Sequence, residues 1–196
     1  MSPSRLIEMK NTKVRLHGFE WPPSCMQVVS WIGAILLVVA YALAVASIVQ
    51  EADTFSLVAL GLLSFVYLVA VVCMVIYTYR VTASDPSDPT VALERSHNLQ
   101  PNLVEFNQLD YSYFCDICNT HVLPDTKHCS VCNRCSYSFD HHCVWVGNDI
   151  GGENYVDFIR MLTSVFVMLL VQILTLTLQL VIIEAKDQPQ SEMKIL

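Results

Sequence analysis

The chain has 196 residues, of which 54% are hydrophobic and only 15% charged, with a mean hydropathy of +0.45 and a formal net charge of −7. That charged fraction lies well below the roughly 25% of an average soluble domain, which excludes a disordered chain, a fibrous chain and an ordinary soluble enzyme core. The negative balance argues against a nucleic-acid-binding face, and the length allows one membrane bundle plus one small module.

Residues 1–27 form an N-terminal segment carrying Arg5, Lys10, Lys13 and Arg15, and Trp21-Pro22-Pro23 near its end reads as an interfacial anchor and helix stop. Residues 28–49 and 55–79 are uncharged apolar runs. A spanning helix needs about 20 such residues, so 28–79 read as two transmembrane helices joined by a short link. The link, around Glu51 and Asp53, has no basic residue. The Lys/Arg bias therefore places the link in the lumen and the N-terminus in the cytosol. Residues 80–110 return to the cytosol as a loosely structured linker, with Asp85-Pro86-Ser87-Asp88-Pro89 as a turn-rich exit from the membrane. Residues 111–160 hold a Cys/His cluster. Residues 161–183 are again uncharged and read as a third transmembrane helix, followed by a short tail, 184–196, on the lumenal side by span counting. No internal repeat is read. The expected fold is an α-helical integral membrane protein: three transmembrane helices, with a small cytosolic zinc-binding Cys/His-rich domain between the second and third.

Of the eight cysteines, six lie between Cys115 and Cys143. The cytosol keeps thiols reduced, so dense cysteines there serve as metal ligands or catalysts more often than as disulfides. The spacing is Cys115-x2-Cys118-x9-His128-Cys129-x2-Cys132-x2-Cys135-x4-Asp140-His141-His142-Cys143, and Cys-x2-Cys steps suit the tight turns that chelate zinc. A structural zinc takes four ligands, and the supply here is too large for one site. The natural split alternates along the chain. Cys115, Cys118, His128 and Cys135 form one set; Cys129, Cys132 and His142 form three-quarters of a second. The last corner is open to Asp149, His121, Cys143 or water. Cys143 has another reading. In Asp140-His141-x-Cys143 a histidine can act as base on a thiol while the carboxylate orients the imidazole. On an extended backbone His142 faces the other way and is free to bind metal. Local sequence leaves Cys143 divided between nucleophile and ligand.

The run from Cys115 to Asn154, with Asp140-His141-His142-Cys143-x-Trp145-Val146-x-Asn148 and then Ile150-Gly151-x2-Asn154-Tyr155, resembles the cysteine-rich domain of the DHHC-type protein S-acyltransferases (palmitoyltransferases). The two earlier spans, the Asp-Pro turn and the third span match that family's layout. The resemblance implies a two-step reaction at the cytosolic membrane face. A long-chain acyl group passes from acyl-CoA, typically palmitoyl-CoA, to Cys143 as a thioester. It then moves to a cysteine of a membrane-associated protein. Cys143 is thereby the expected nucleophile, His141 the base and Asp140 its orienting carboxylate. Two structural Zn2+ ions are implied, with His142 a ligand. The implied location is the endomembranes, Golgi or endoplasmic reticulum, or the plasma membrane.

Three departures from the family pattern stand out. Asp149 occupies the position of the last zinc-binding cysteine; its oxygen can ligate zinc but is a harder ligand than thiolate, so a weaker second site is expected. Val122 and Asp125 stand where basic residues are common, which leaves Lys127 and Arg134 as candidates for the CoA phosphates. The family's fourth span has no counterpart in the thirteen residues after 183, so a truncated isoform, an incomplete gene model or a homodimer that completes the acyl cavity is expected. These departures favour an alternative function, a zinc-stapled membrane adaptor with weak or no acyltransferase activity.

Overall fold

The computed structural model describes residues 13–50, 52–97 and 113–187. The readings placed on Arg5, Lys10 and Glu51, on residues 98–110 and on the tail beyond Asp187 lie outside the described residues. The chain divides into two compact units, Ser30–Ile76 with Arg160–Leu196, and Met1–Val29 with Tyr77–Ile159.

Among the described residues, three helices are long and apolar enough to cross a membrane: α1 (Cys25–Val49), α2 (Thr54–Ala83) and, after a shorter α3 (Pro89–His97), α4 (Tyr155–Asp187). In hydrocarbon a backbone must satisfy its own polar groups, which a helix does within one segment. The many Val and Ile residues are therefore no obstacle to helix here. Capping residues set where the first two begin. Ser24 Oγ accepts from Gln27 N at 3.0 Å at the start of α1, and Asp53 Oδ1 accepts from Ser56 N at 3.0 Å at the start of α2.

In the first unit the helices meet through aromatic packing and sparse polar contacts. Tyr41 and Tyr67 stack with centroids 3.6 Å apart, packed with Ala70, Met168 and Val171. Tyr41 and Ser64 share a hydrogen bond of 3.1 Å, and Gln179 Nε2 donates to Ser47 Oγ at 2.9 Å. Large apolar side chains such as Leu43, Phe65 and Phe166 face outward. This is the pattern of helices that associate by packing and hydrogen bonds while their outer faces meet lipid.

The second unit is built on three antiparallel two-stranded hairpins: β1 (Tyr113–Cys115) with β2 (Thr120–Val122), β3 (Lys127–Cys129) with β4 (Arg134–Ser136), and β5 (His141–Cys143) with β6 (Asn148–Ile150). They correct the expectation of no internal repeat. The registers Phe114↔His121, His128↔Cys135 and His142↔Asp149 superpose at steps of 14 residues. The turns place Asn119, Asn133 and Gly147 at φ of 57°, 52° and 65°, and Asn and Gly are the residues that tolerate this left-handed region. The repeat is chemical in two hairpins and only geometric in the third, where Cys143 and Val146 take the places of a Cys-x2-Cys pair.

The stretch expected as linker packs closely where it is described. Asp88 N donates to Cys135 O at 2.8 Å, and Tyr137 N to Pro86 O at 3.1 Å. The Asp88 carboxylate is fully buried; it accepts from Thr90 N at the start of α3 and from Leu123 N and Thr126 Oγ1 between the first two hairpins. The end of α2 is held in a similar way. Asn148 Nδ2 donates to Val81 O and Ser84 O, two carbonyls of the kind a helix terminus leaves without partners. Asn154 Nδ2 donates to Ser84 Oγ and Asp149 O.

Candidate metal centres and nucleophile

The turns of the first two hairpins each curl a Cys-x2-Cys step so that the second cysteine's amide meets the first sulfur: Cys118 N lies 3.4 Å from Cys115 Sγ, and Cys132 N 3.4 Å from Cys129 Sγ. The next hairpin supplies the other two donors, from residues directly opposite each other across its strands. The first set gathers Cys115 and Cys118 with His128 and Cys135; the second gathers Cys129 and Cys132 with His142 and Asp149. Within each set all donor atoms lie within 4.8 Å of one another. The alternating split expected from the spacing is the geometry found. Asp149 occupies the corner that spacing left open. His121 instead lies edge-on to Phe114, at 5.1 Å, and Cys143 belongs to neither set.

These donor sets suit a tetrahedral cation. With bonds of about 2.0–2.3 Å, tetrahedral edges are about 3.3–3.8 Å. In the first set His128 Nδ1 lies 3.7, 3.4 and 3.8 Å from the sulfurs of Cys115, Cys118 and Cys135. In the second, His142 Nδ1 lies 3.8 and 3.4 Å from Cys129 and Cys132 but 2.8 Å from Asp149 Oδ1. The carboxylate corner is therefore drawn in tighter than the thiolate corners. Two clusters of this donor type are consistent with structural zinc, which stabilises a small fold and supplies no reaction step.

Crowding of like groups perturbs their protonation. Hydrogen bonding from Cys118 drives the Cys115 thiol far down, while bonds with Cys115 and Cys118 push Cys135 far up. A bond from Cys132 lowers Cys129 to about 6, and Cys132 is pushed up in return. Burial works against charge on His128 and His142, yet the adjoining thiols and, for His142, Asp149 hold both at about 9. Burial also opposes the Asp149 charge; the bond from His142 and the Arg134 guanidinium outweigh it and keep the carboxyl well below its usual range. Donors that compete for protons this way are relieved by a divalent cation shared among them.

On β5 alternation sends His141 and Cys143 to one face and His142 to the other. His141 Nδ1 lies 3.1 Å from Asp140 Oδ2, and its ring meets Phe158 edge-on at 5.3 Å. Cys143 is buried. The turn that follows it is gripped by the start of α1: Ser24 Oγ donates to Val144 O at 2.7 Å, and Gln27 Nε2 to Val146 O at 3.1 Å and Gly18 O at 3.0 Å. Sequence reasoning passed over both residues, although Ser24-x2-Gln27 is a capping-box pattern that marks a helix start. A hollow of about 510 Å³ lies beside Asp140, lined by Asp125, Lys127, Ser138 and Tyr155 among others. Of the two basic candidates for CoA, Lys127 is exposed there. Arg134 is completely buried and engaged with Asp149, Asp85, Asn148 and Leu16, which corrects its assignment to phosphate.

Residues 108–196 match the family model described as DHHC palmitoyltransferase. Palmitoyltransferase ZDHHC17 of Danio rerio is 43% identical over 72 residues, which cover 37% of this chain and 12% of that protein. Probable protein S-acyltransferase 13 of Arabidopsis thaliana is 33% identical over 121 residues, 57% of this chain and 40% of the relative. Palmitoyltransferase SWF1 of Kluyveromyces lactis is 36% identical over 74 residues, 38% of this chain and 22% of the relative. The chain thus spans well under half the length of these relatives. No solved structure matches it.

Proposed function

We propose that this chain, a member of the DHHC palmitoyltransferase family through its segment 108–196, is a protein S-acyltransferase. It takes a long-chain acyl group from acyl-CoA onto Cys143 and hands it to a cysteine of a membrane-associated protein. The observation that carries the reading is the division of labour on β5. An ionised carboxylate can only accept, so His141 donates Nδ1–H to Asp140 and keeps its Nε2 lone pair for a proton. His141 shares a strand face with Cys143, while His142 is spent on the second donor set. His141 draws the thiol proton as sulfur attacks the acyl carbonyl; CoA thiolate leaves, and that proton is available to it. Attack by the acceptor thiol then reverses the exchange. One thioester replaces another, so little driving force is needed beyond a poised thiolate.

Zinc in both donor sets would fix the hairpins, and Lys127 at the hollow beside Asp140 is a basic group offered to the CoA phosphates. The unit bearing Cys143 faces the cytosol in this reading, where acyl-CoA and the acceptor thiols are found. The adaptor alternative draws on the buried Val122 and the acidic Asp125, which give CoA no cation at those positions. Loading separates the two. Detergent-purified protein incubated with alkyne-labelled palmitoyl-CoA should gain a label that neutral hydroxylamine removes. Cys143→Ser should abolish that label with zinc content at the parent value. A folded, zinc-loaded parent that takes no label supports the adaptor; loss of about one zinc per chain in Cys143→Ser makes the thiol a ligand.

A further inference from the structure

We infer that Arg134 is a positioning residue for the second donor set: it fixes Asp149 as a one-oxygen ligand and ties the filling of that set to the seating of Leu16 and Asp85. The inference rests on the metal reading of that set and not on acyl transfer.

Arg134 sits on β4 with its side chain wholly excluded from solvent. A buried guanidinium is tolerated only when its N–H groups are matched, and here all three nitrogens have acceptors. Nε donates to Asp149 Oδ2 at 3.1 Å, Nη1 to Leu16 O and to Asp85 Oδ1 at 3.0 Å, and Nη2 to Asn148 Oδ1 at 2.6 Å. Asp149 Oδ2 also accepts from Ser136 Oγ at 2.9 Å. That oxygen is therefore saturated, and Oδ1 alone is turned toward Cys132 and His142, at 3.2 and 2.8 Å. A free carboxylate can rotate or bind through both oxygens; this one is denied either option. Partners behind a ligand commonly set its orientation and strength in this way.

The charge balance points in the same direction. Two thiolates and a carboxylate around a divalent cation leave one excess negative charge, and Arg134 lies against the carboxylate that contributes it. The hairpin repeat makes the placement specific: the equivalent positions in the first and third hairpins hold Thr120 and Asn148, both neutral and buried. The far side of the guanidinium grips two points outside the hairpins. Asp85 follows α2, and Leu16 precedes α1, where Arg15 N also donates to Cys132 O at 2.8 Å. A shift of Asp149 is thus transmitted to both.

The test uses the whole chain in detergent, loaded with zinc and challenged by a chromogenic chelator while released ions are counted. The parent should give up one ion quickly and one slowly. Arg134→Lys keeps the charge but loses the fork, and Asp149→Asn keeps the shape but loses the charge. Each should release the fast ion about tenfold sooner or more and leave the slow ion unchanged. In the cobalt-substituted protein the d–d spectrum should change in both variants. Hydrogen exchange at residues 15–18 should rise when the parent loses its fast ion. Cys135 neighbours Arg134, so a retained slow ion reports that each variant has folded. Unchanged release in Arg134→Lys, loss of both ions together, or a parent holding a single ion would each overturn the inference. Acyl loading of the parent, measured separately, decides the enzymatic reading on its own.

Discussion

In the proposed reaction, His141 owes its role as base to what Asp140 does to its tautomer. With Nδ1–H committed to a carboxylate oxygen 3.1 Å away, the neutral imidazole exposes Nε2 as acceptor. Asp140→Asn keeps the shape but offers an amide that can donate as well as accept, so the wrong tautomer is stabilised. Loading of Cys143 should fall by up to about 10⁴-fold, the scale seen when a triad carboxylate is made an amide, with metal content unchanged. Rates measured across pH distinguish this from misfolding, since lost orientation lowers the whole profile without changing metal content. Residue chemistry was also where the sequence was most readable. Thiols and imidazoles at turn spacing announce a metal, and the alternating division into two sets needed only counting. Asp149 was one of several candidates for the last corner because spacing cannot show which side chain a β hairpin places opposite His142. Arg134 was misread for a better reason: a lone arginine is normally solvated, and only the carboxylate and amide gathered behind it make burial affordable.

At the scale of elements, a shared hairpin explains why one thiol of six stands apart. Cys115 and Cys129 each have a chelating partner three residues on, and a following hairpin closes each set. Cys143 occupies the same turn position, but Val146 replaces the partner, so the motif that gives a pair of donor sulfurs twice presents a single sulfur, outside both donor sets, the third time. The 14-residue step went unread because its third copy lacks the second cysteine, with Val146 in its place. The helix spans were easier: three long uncharged runs admit few other readings. What the runs could not show is that the start of α1 grips the turn that follows Cys143. Gln27 is fully buried and donates to Val146 O and Gly18 O. Gln27→Leu leaves those buried carbonyls without this donor, at about 1–3 kcal/mol each. A lower thermal midpoint and slower Cys143 loading are expected, with metal content unchanged. Loading at the parent rate despite the lower midpoint would show that the turn holds its shape without α1.

For the molecule as a whole, the two units are stabilised by different physics, and removing metal should separate them. Each strand of the hairpin unit has three residues. Two-stranded hairpins this short are marginal in water, and one buried apolar cluster against them, Val91, Val122 and Cys135, is small. Zinc in the two donor sets would therefore add substantially to their stability, because a metal bound only by the folded form adds its binding free energy to folding. The helices need no such help, since their backbone bonds are internal and their outer faces suit lipid. A strong chelator should abolish acyl loading and open residues 113–150 to protease, while far-UV circular dichroism keeps nearly all its helical signal. Acid should act in the same direction without a chelator, because protons compete with metal for thiolate and imidazole. Added zinc at neutral pH should restore loading. Loss of helical signal in step with metal would mean instead that the hairpins and the helices fold as one cooperative body, and the metal would then stabilise the membrane-spanning part as well as the site.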